Sequence, residues 1–463
     1  MTDISKNLKS NIERAFGFRL NNNQYKELRR LFYEIMQREN MDEESIMKEI
    51  LDIPGIEKIG GRNKFFPIKA YLLGKRFPLA SARAKIDAKS VFLADLKPAL
   101  PESDNKWKKP FVPQKVFIEH NARDSYLAKR FYSAFPQAEY EELDFYGEYL
   151  HKHKFTLTDL KKPLVFIVKE KWDFIRPCPC TKNHLGCNYW IFNLGFGCPY
   201  DCSYCFLQQY TNFPGIVLPA NLDDFFSRFD DFHKKISAPI RIGTGEFCDS
   251  LVLDDITGYS RQLIGFFKNK PVFFELKTKS AQIENILKVP ASANIVISWS
   301  LNPQCVIDKE ERGVASLKER ILAAEKVQKH GFSIAFHFDP IIYSQNWERM
   351  YGEVIDSLYT HIKPPLRWIS LGTLRGTREL KNISEQRFPQ SKIFYGELFL
   401  GEDKKLRYPK FLRKQIYSFM LKYIRKYDPH TPVYLCMEDN ECWQAVSPLL
   451  SSSEKIEKYL LSQ

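Results

Sequence analysis

Three cysteines stand close together in "NLGFGCPYDCSYCFLQQY", the stretch from Asn193 to Tyr210. Cys198, Cys202 and Cys205 are spaced C-x₃-C-x₂-C, with Tyr204 and Phe206 flanking the last thiol. Thiolates are soft ligands, so the array points to metal chemistry. A structural zinc site usually closes with four protein ligands, and no fourth Cys or His follows within a short distance. Three thiolates suit a [4Fe–4S] cluster with one iron left open to a small molecule. The alternatives are a chance trio and a zinc site that borrows Cys178, Cys180 or Cys187. Gly195 and Gly197 let the loop wrap tightly.

Further residues could do chemistry. Upstream, "CPCTKNHLGC" spaces Cys178, Cys180, His184 and Cys187 as C-x-C-x₃-H-x₂-C. These four admit an auxiliary cluster or a zinc knuckle, or they pack beside the site entrance without a metal. Cys305, Cys436 and Cys442 are expected to be ordinary buried cysteines. In "HFDP", His337 and Asp339 alternate with Phe338 and share one face of a strand, which makes them candidate substrate contacts. Arg375, in "RWISLGTLRG", is a third.

The elements that must position these groups alternate from residue 188 onward. Strand candidates are "NYWIFNL", "PIRIG", "VFFEL", "NIVISWS", "FSIAFHF" and "LRWISL". Helix candidates lie near 221–235, 255–268, 280–288, 314–330 and 347–361. Six successive βα units predict a parallel sheet in a partial (β/α)6 barrel, an α/β fold. The cysteine loop then follows the first strand, at the end where such barrels place their sites. The expected division is a basic, mainly helical extension over 1–108, an α/β lead-in over 109–187, the barrel over 188–380, and a C-terminal hairpin and helix over 381–463. In the extension, "QYKELRRLFYEIMQREN" puts Leu28, Leu31, Phe32 and Ile35 at helical spacing, and "DEESIMKEILDI" is a second helix with an acidic start. "KPALPESDNKWKKPFVPQ" (97–114) is the linker candidate. "KVFIEHNA" and "PLVFIVKE" read as buried strands. Residues 392–409 read as a β-hairpin turning at Gly401–Asp403, and 410–427 as an amphipathic helix.

Composition sets outer bounds. The chain has 463 residues and a formal net charge of +13. No run of about 18 apolar residues is present, so no membrane helix is predicted. "MTDISKNLKSNIERAFGFRL" lacks the apolar core of a signal peptide, and the expected compartment is cytoplasmic. Ten cysteines in such a chain do not suggest a disulfide framework. Residues 57–89 hold nine basic and two acidic residues. They are interleaved with Phe65, Phe66, Tyr71 and Phe77, a mixture able to hold phosphates and stack on bases or simply to form a solvated basic face.

The C-x₃-C-x₂-C loop resembles the signature of the radical S-adenosylmethionine (SAM) superfamily. More narrowly, the chain from "KPFVPQKVFIEHNA" (109–122) to "VYLCMEDNECW" (433–443) resembles the spore photoproduct lyase family. The landmarks are "FVPQKVFIE", "CPYDCSYCFLQQY", "FCDSLVLDDIT", "FELKTKSAQIENIL", "SWSLN" and "PIIYSQNWE". The resemblance implies a [4Fe–4S] cluster on Cys198, Cys202 and Cys205, SAM on the open iron, and reductive cleavage of SAM to a 5′-deoxyadenosyl radical. It implies SAM contacts from the "GTGE" segment (Gly243, Gly245 and Glu246), Lys279 and Ser300, with Tyr204 and Phe206 beside the cofactors. It also implies repair of a thymine cross-link in damaged DNA, and a flavodoxin- or ferredoxin-like reductant.

Two positions depart from that pattern. The family's hydrogen-donor cysteine aligns with Glu246, leaving Cys248, two residues on, as the candidate catalytic thiol. The family's relay tyrosine aligns with Phe206, which has no O–H. These departures keep open a radical SAM enzyme with a different substrate, such as RNA, a peptide or a metabolite. A third reading is a nucleic-acid-binding or redox-sensing iron–sulfur protein without turnover, and the intact "GTGE" and "KTKS" segments argue against it.

Overall fold

The structure, a computed structural model, describes residues 4–78, 110–171, 174–180, 184–211, 213–236 and 239–462. Most of the expected linker and the basic residues beyond 78 lie outside these. The chain divides into two compact units, residues 1–95 with 392–399, and residues 96–391 with 400–463.

The first unit holds the helices Leu8–Phe16, Asn22–Glu39, Glu43–Leu51 and Phe65–Arg76. Leu28, Leu31, Phe32 and Ile35 are buried, as their spacing predicts. Asp42 caps the third helix by accepting from the Ser45 N–H, and Glu43 and Glu44 fill its first turn. Phe65 is buried and Phe77 packs against the same core, whereas Phe66 and Tyr71 are exposed. Two of the four expected stacking aromatics are therefore core residues.

In the second unit the strands, in chain order, are β1 (Lys115–Glu119), β2 (Glu139–Leu143), β3 (Leu164–Val168), β4 (Ile175–Pro177), β5 (Tyr189–Phe192), β6 (Asp201–Cys202), β7 (Ile216–Pro219), β8 (Ile240–Thr244) and β9 (Val272–Thr278). They continue as β10 (Ile295–Ser300), β11 (Glu311–Arg312), β12 (Ser333–Ile341), β13 (Ile369–Thr373), β14 (Arg375–Gly376), β15 (Phe399–Leu400), β16 (Leu406–Arg407) and β17 (Val433–Leu435). The large sheet runs β17-β13-β12-β10-β9-β8-β5-β4. All six expected strands are in it, consecutive and parallel. Their residues are β-branched and aromatic and are buried throughout β8, β10 and β13, as a sheet covered on both faces demands. The sheet extends at both ends of its order, with β4 antiparallel to β5 and β17 parallel to β13.

Helices Leu222–His233, Tyr259–Phe267, Leu317–His330 and Trp347–His361 cover the sheet where helices are predicted. Residues 280–288 differ. Only Ile286–Lys288 is helical there, as one 3₁₀ turn. Pro290 biases the residue before it to extended backbone and leaves no room for a longer helix. The C-terminal hairpin is also shorter than expected: within 392–409 only 399–400 and 406–407 are strand.

A smaller parallel sheet, β2-β1-β3-β7, precedes the barrel and joins it. Phe117, Phe166, Phe213 and Val217 form its core. Because β5 belongs to the large sheet and β7 to the small one, the cysteine loop is strung between two rigid sheets. Gly195 and Gly197 make this possible. Their φ angles are +134° and +92°, and a Cβ on either would meet a carbonyl oxygen of Val217 or Gly215 at 2.3 or 2.6 Å.

Candidate functional site

The loop's three thiols line one cavity of about 420 Å³, together with Tyr200, Arg312 and Arg387. Burial pushes each thiol up, and the thiols oppose one another's ionisation. Lys279 acts the other way on Cys202 and Cys205. A buried cluster of thiols that resists ionisation unless a cation is supplied fits a metal cluster.

The loop is held from below. β6 pairs antiparallel with β11, setting Cys202 opposite Glu311 and Asp201 opposite Arg312. The Tyr204 hydroxyl donates to Glu311, Asn302 Nδ2 donates to the same carboxylate at 2.9 Å, and Arg320 Nη2 meets it at 2.6 Å. Burial alone would raise the Glu311 carboxyl. Lys279 and Arg320 outweigh it, and the pKa falls to about 2. Gln208 Nε2 donates to the carbonyls of Cys202, Ser203 and Cys205 at 2.9–3.3 Å. Arg387 ties the loop further, to Gln208 at 2.6 Å and to Asp201 at 2.7 Å.

Cys205 also lines a second cavity, of about 260 Å³, inside the barrel. Tyr204, Phe206, Gly243, Gly245, Glu246, His337, Asp339 and Arg375 all face it. Gly243 is needed because a Cβ there would meet the Tyr189 hydroxyl at 2.3 Å and the Glu275 carbonyl at 2.4 Å. Glu246 is exposed at this cavity. The segment after β8 is welded to the end of β9 by Asp249. Its carboxylate accepts from the Thr278 hydroxyl at 2.6 Å and from the Lys279 N–H at 2.7 Å, as well as from two N–H groups of its own turn.

Within the cavity the charged groups are paired. His337 Nε2 lies 2.8 Å from Glu275 Oε1, which also accepts from Trp368 Nε1 at 3.2 Å. Burial would raise the Glu275 carboxyl, but His337 and Arg241 pull it well below the usual range. Burial pulls the His337 imidazole below its ordinary value, and the Glu275 carboxylate beside it opposes that fall. Arg375 grips Asp339 with two bonds of 2.9 Å, the bidentate arrangement that suits guanidinium and carboxylate. A register shift between Phe338 and Ile341, where β12 meets β13, aims this rim of the barrel inward.

The remaining candidates sit elsewhere. Lys279 does not line the barrel cavity; its Nζ lies 3.9 Å from Glu311 and 5.0 Å from the centre of the Tyr204 ring. Lys277 lines the cavity instead. Ser300 is buried at the end of β10, its carbonyl held by Arg320 at 2.8 Å. Cys248 lines a separate small cavity with Leu194, Ile216 and Leu253. His184 is absent from the barrel cavity, whereas Cys178, Cys180 and Cys187 line it. Cys305 and Cys442 are buried, as expected. Cys436 is not an ordinary buried cysteine: it lines the barrel cavity, 3.6 Å from Arg375 Nη2. Arg241, Glu275, Lys277 and Cys436 are the site residues that sequence reasoning missed. Of these, only Lys277 carried a signal, in its position two residues before Lys279 on one strand face.

A curled parallel sheet with a three-cysteine loop after its first barrel strand, opening on a glycine-lined cavity, defines a radical SAM enzyme. Enzymes of this class use a [4Fe–4S] cluster and SAM, and the thiol set and the glycine cradle of this chain fit both groups. The family model for spore photoproduct lyase matches residues 111–426, and the chain belongs to that family. Spore photoproduct lyase of Geobacillus sp. (strain Y412MC61) is 26% identical over 302 residues, covering 62% of this chain and 85% of the relative. The enzyme of Bacillus subtilis (strain 168) is 24% identical over 296 residues, covering 61% and 84%. A solved mutant spore photoproduct lyase with bound AdoMet and dinucleoside spore photoproduct superposes with a TM-score of 0.63 at 24% identity, covering 71% of this chain and all of that one. No helix among the described residues is long and apolar enough to cross a membrane.

Proposed function

We propose that the protein cleaves SAM reductively at a [4Fe–4S] cluster held by Cys198, Cys202 and Cys205, and that the resulting radical acts on a pyrimidine lesion in DNA. The observation that carries this reading is the convergence of Cys205, Tyr204, Phe206 and the Gly243–Glu246 segment on one cavity. When bound, the cluster and SAM supply a 5′-deoxyadenosyl radical able to abstract a hydrogen atom from a substrate carbon. The chain's residues do the rest. Glu246 accepts from the ammonium of SAM, and Gly243 and Gly245 let the backbone approach. Lys279 balances charge beside Cys202 and Cys205. Tyr204 and Phe206 exclude water from the radical's path. His337, Asp339 and Arg375 form the polar wall that a substrate meets, and a base must leave its stack to reach them. The reading also expects a cytoplasmic enzyme whose thiols stay reduced and a flavodoxin- or ferredoxin-like electron donor.

A second reading, a radical SAM enzyme on RNA, a peptide or a metabolite, is favoured by three observations. Glu246 stands where the resemblance places the hydrogen-donor cysteine. Phe206 stands where it places the relay tyrosine. Cys248 lines a different cavity. The test is anaerobic reconstitution, reduction with dithionite, and incubation with SAM and a dinucleoside spore photoproduct. The first reading expects 5′-deoxyadenosine and free thymine; 5′-deoxyadenosine without thymine selects the second. Wild-type 5′-deoxyadenosine formation by Cys202→Ala would overturn both.

A further inference from the structure

Tyr210 is an aromatic residue that the core does not use. It ends the short helix Leu207–Tyr210, directly after the cysteine loop, and is 49% exposed. Its ring lies 5.6 Å from that of Phe206 at 28°, the offset arrangement of stacked aromatics. Both rings line the barrel cavity, in company with His337, Asp339 and Arg375. A large ring left at a cavity rim is a surface that a ligand can cover.

The pair is held in place before any ligand arrives. Gln208 is buried and donates to three carbonyls of the cysteine loop. The Thr377 hydroxyl donates to Gln209 Oε1 at 2.5 Å, and Gln209 Nε2 donates to Glu379 at 3.1 Å. The turn is therefore pinned to the loop on one side and to the start of helix Arg378–Arg387 on the other. Lys405 Nζ lies 5.7 Å from the centre of the Phe206 ring, a cation–π contact that steadies it.

We propose that Phe206 and Tyr210 form a stacking platform at the mouth of the barrel cavity, on which the face of a nucleobase lies while its polar edge meets Asp339 and Arg375. The proposal rests on the nucleic-acid reading given above and adds to it the residues that hold the base once it has left its helix stack.

Two observations select a base over the other candidate substrates. First, stacked rings offer their free face to a further flat ring, and every base has one. An aliphatic side chain or a sugar has none. Second, the polar wall lacks a neutral acceptor. Arg375 is gripped by Asp339 through two bonds of 2.9 Å, so its charge is met. Its Nε is nonetheless buried and has no hydrogen-bond partner among the described residues. An unmet buried donor is costly. The carbonyl groups on a pyrimidine edge are acceptors without charge, and the Asp339 carboxylate can accept from the ring N–H beside them. Face and edge of one planar ligand are thus both provided for.

The test uses the full-length, anaerobically reconstituted protein with SAM and no reductant, so that nothing turns over. Two single-stranded probes are compared by fluorescence anisotropy. One carries a dinucleotide spore photoproduct, and the other has abasic sites in its place. The wild type should bind the lesion strand more tightly. Tyr210→Ala should weaken binding of that strand roughly 5- to 150-fold, the range for loss of one stacked ring, and leave the abasic strand unaffected. Tyr210→Phe keeps the ring and should bind as the wild type does. Equal affinity of the wild type for the two strands overturns the proposal, and so does wild-type affinity of Tyr210→Ala for the lesion. A Tyr210→Phe variant as weak as Tyr210→Ala assigns the effect to the hydroxyl and overturns the platform. Thymine release by the reduced wild type, with the lesion bound equally well by Tyr210→Ala, sinks the platform and leaves the functional reading standing. A Tyr210-dependent preference for the lesion strand without 5′-deoxyadenosine formation does the reverse.

Discussion

Glu311 is the residue through which the barrel grips the cysteine loop, and its replacement by Gln gives a worked prediction. Its backbone pairs with that of Cys202, and its carboxylate meets Arg320 at 2.6 Å with both side chains fully buried. Its pKa falls from the ordinary 4.5 to about 2. At 1.36 kcal/mol per tenfold change in proton affinity, the fall corresponds to about 3 kcal/mol of stability. That stability is fully present above the unfolded pKa and is lost as pH drops through the folded value. Glu311→Gln removes the charge and leaves Arg320 buried without its counter-ion, a loss of about 3–5 kcal/mol in comparable pairs. For a unit of this size, 3 kcal/mol lowers the melting temperature by roughly 4 °C. The assay is thermal unfolding of the anaerobic protein at pH 7, with iron per chain measured on the same samples. Glu353→Gln, in an exposed pair with Arg349, serves as the control and should cost under about 1 kcal/mol. The variant should melt earlier and lose iron from the loop. A melting temperature within a degree of wild type, with full iron retention, would refute the idea that this carboxylate holds the loop.

Other perturbations have equally direct outcomes. Gly245 has φ +99°, and a Cβ there would lie 3.0 Å from the Lys277 carbonyl; Gly245→Ala should cost about 1–3 kcal/mol of backbone strain and weaken SAM binding in equilibrium dialysis. Arg375→Leu strands a half-buried Asp339 whose carboxyl is held down by that guanidinium, and should lower stability by about 3–5 kcal/mol in denaturant unfolding. The paired variant Asp339→Asn with Arg375→Leu should recover part of that loss. Removing residues 1–108 should abolish the salt-sensitive component of DNA binding, read as a flatter slope of log K against log salt; an unchanged slope would place the contact on the second unit.

The parts of the fold that sequence reading recovered are those whose signal is local. Cys198, Cys202 and Cys205 sit on one loop, so their spacing declares them. The six barrel strands are short apolar runs between polar helices, and all are found in order. The misses have physical causes of two kinds. β4 and β17 are three residues each, too short for periodicity, and they become strands only because a neighbour supplies the hydrogen bonds. Lys277 and Lys279 lie on one face while β9 lasts, but the strand ends at Thr278. Lys279 is turned toward Glu311 once Asp249 captures its N–H.

Cys436 shows why the second kind of miss matters for function. Spacing presented Cys178, Cys180, His184 and Cys187 as a four-ligand run and Cys436 as a lone core thiol. Which of them share a cavity depends on the contact of Leu185 with Glu438. That contact joins residues far apart in sequence and exists only once β5 through β17 have assembled in order. A ligand set confined to one segment is readable before folding. A cavity wall completed across the mouth of a barrel is specified by strand order.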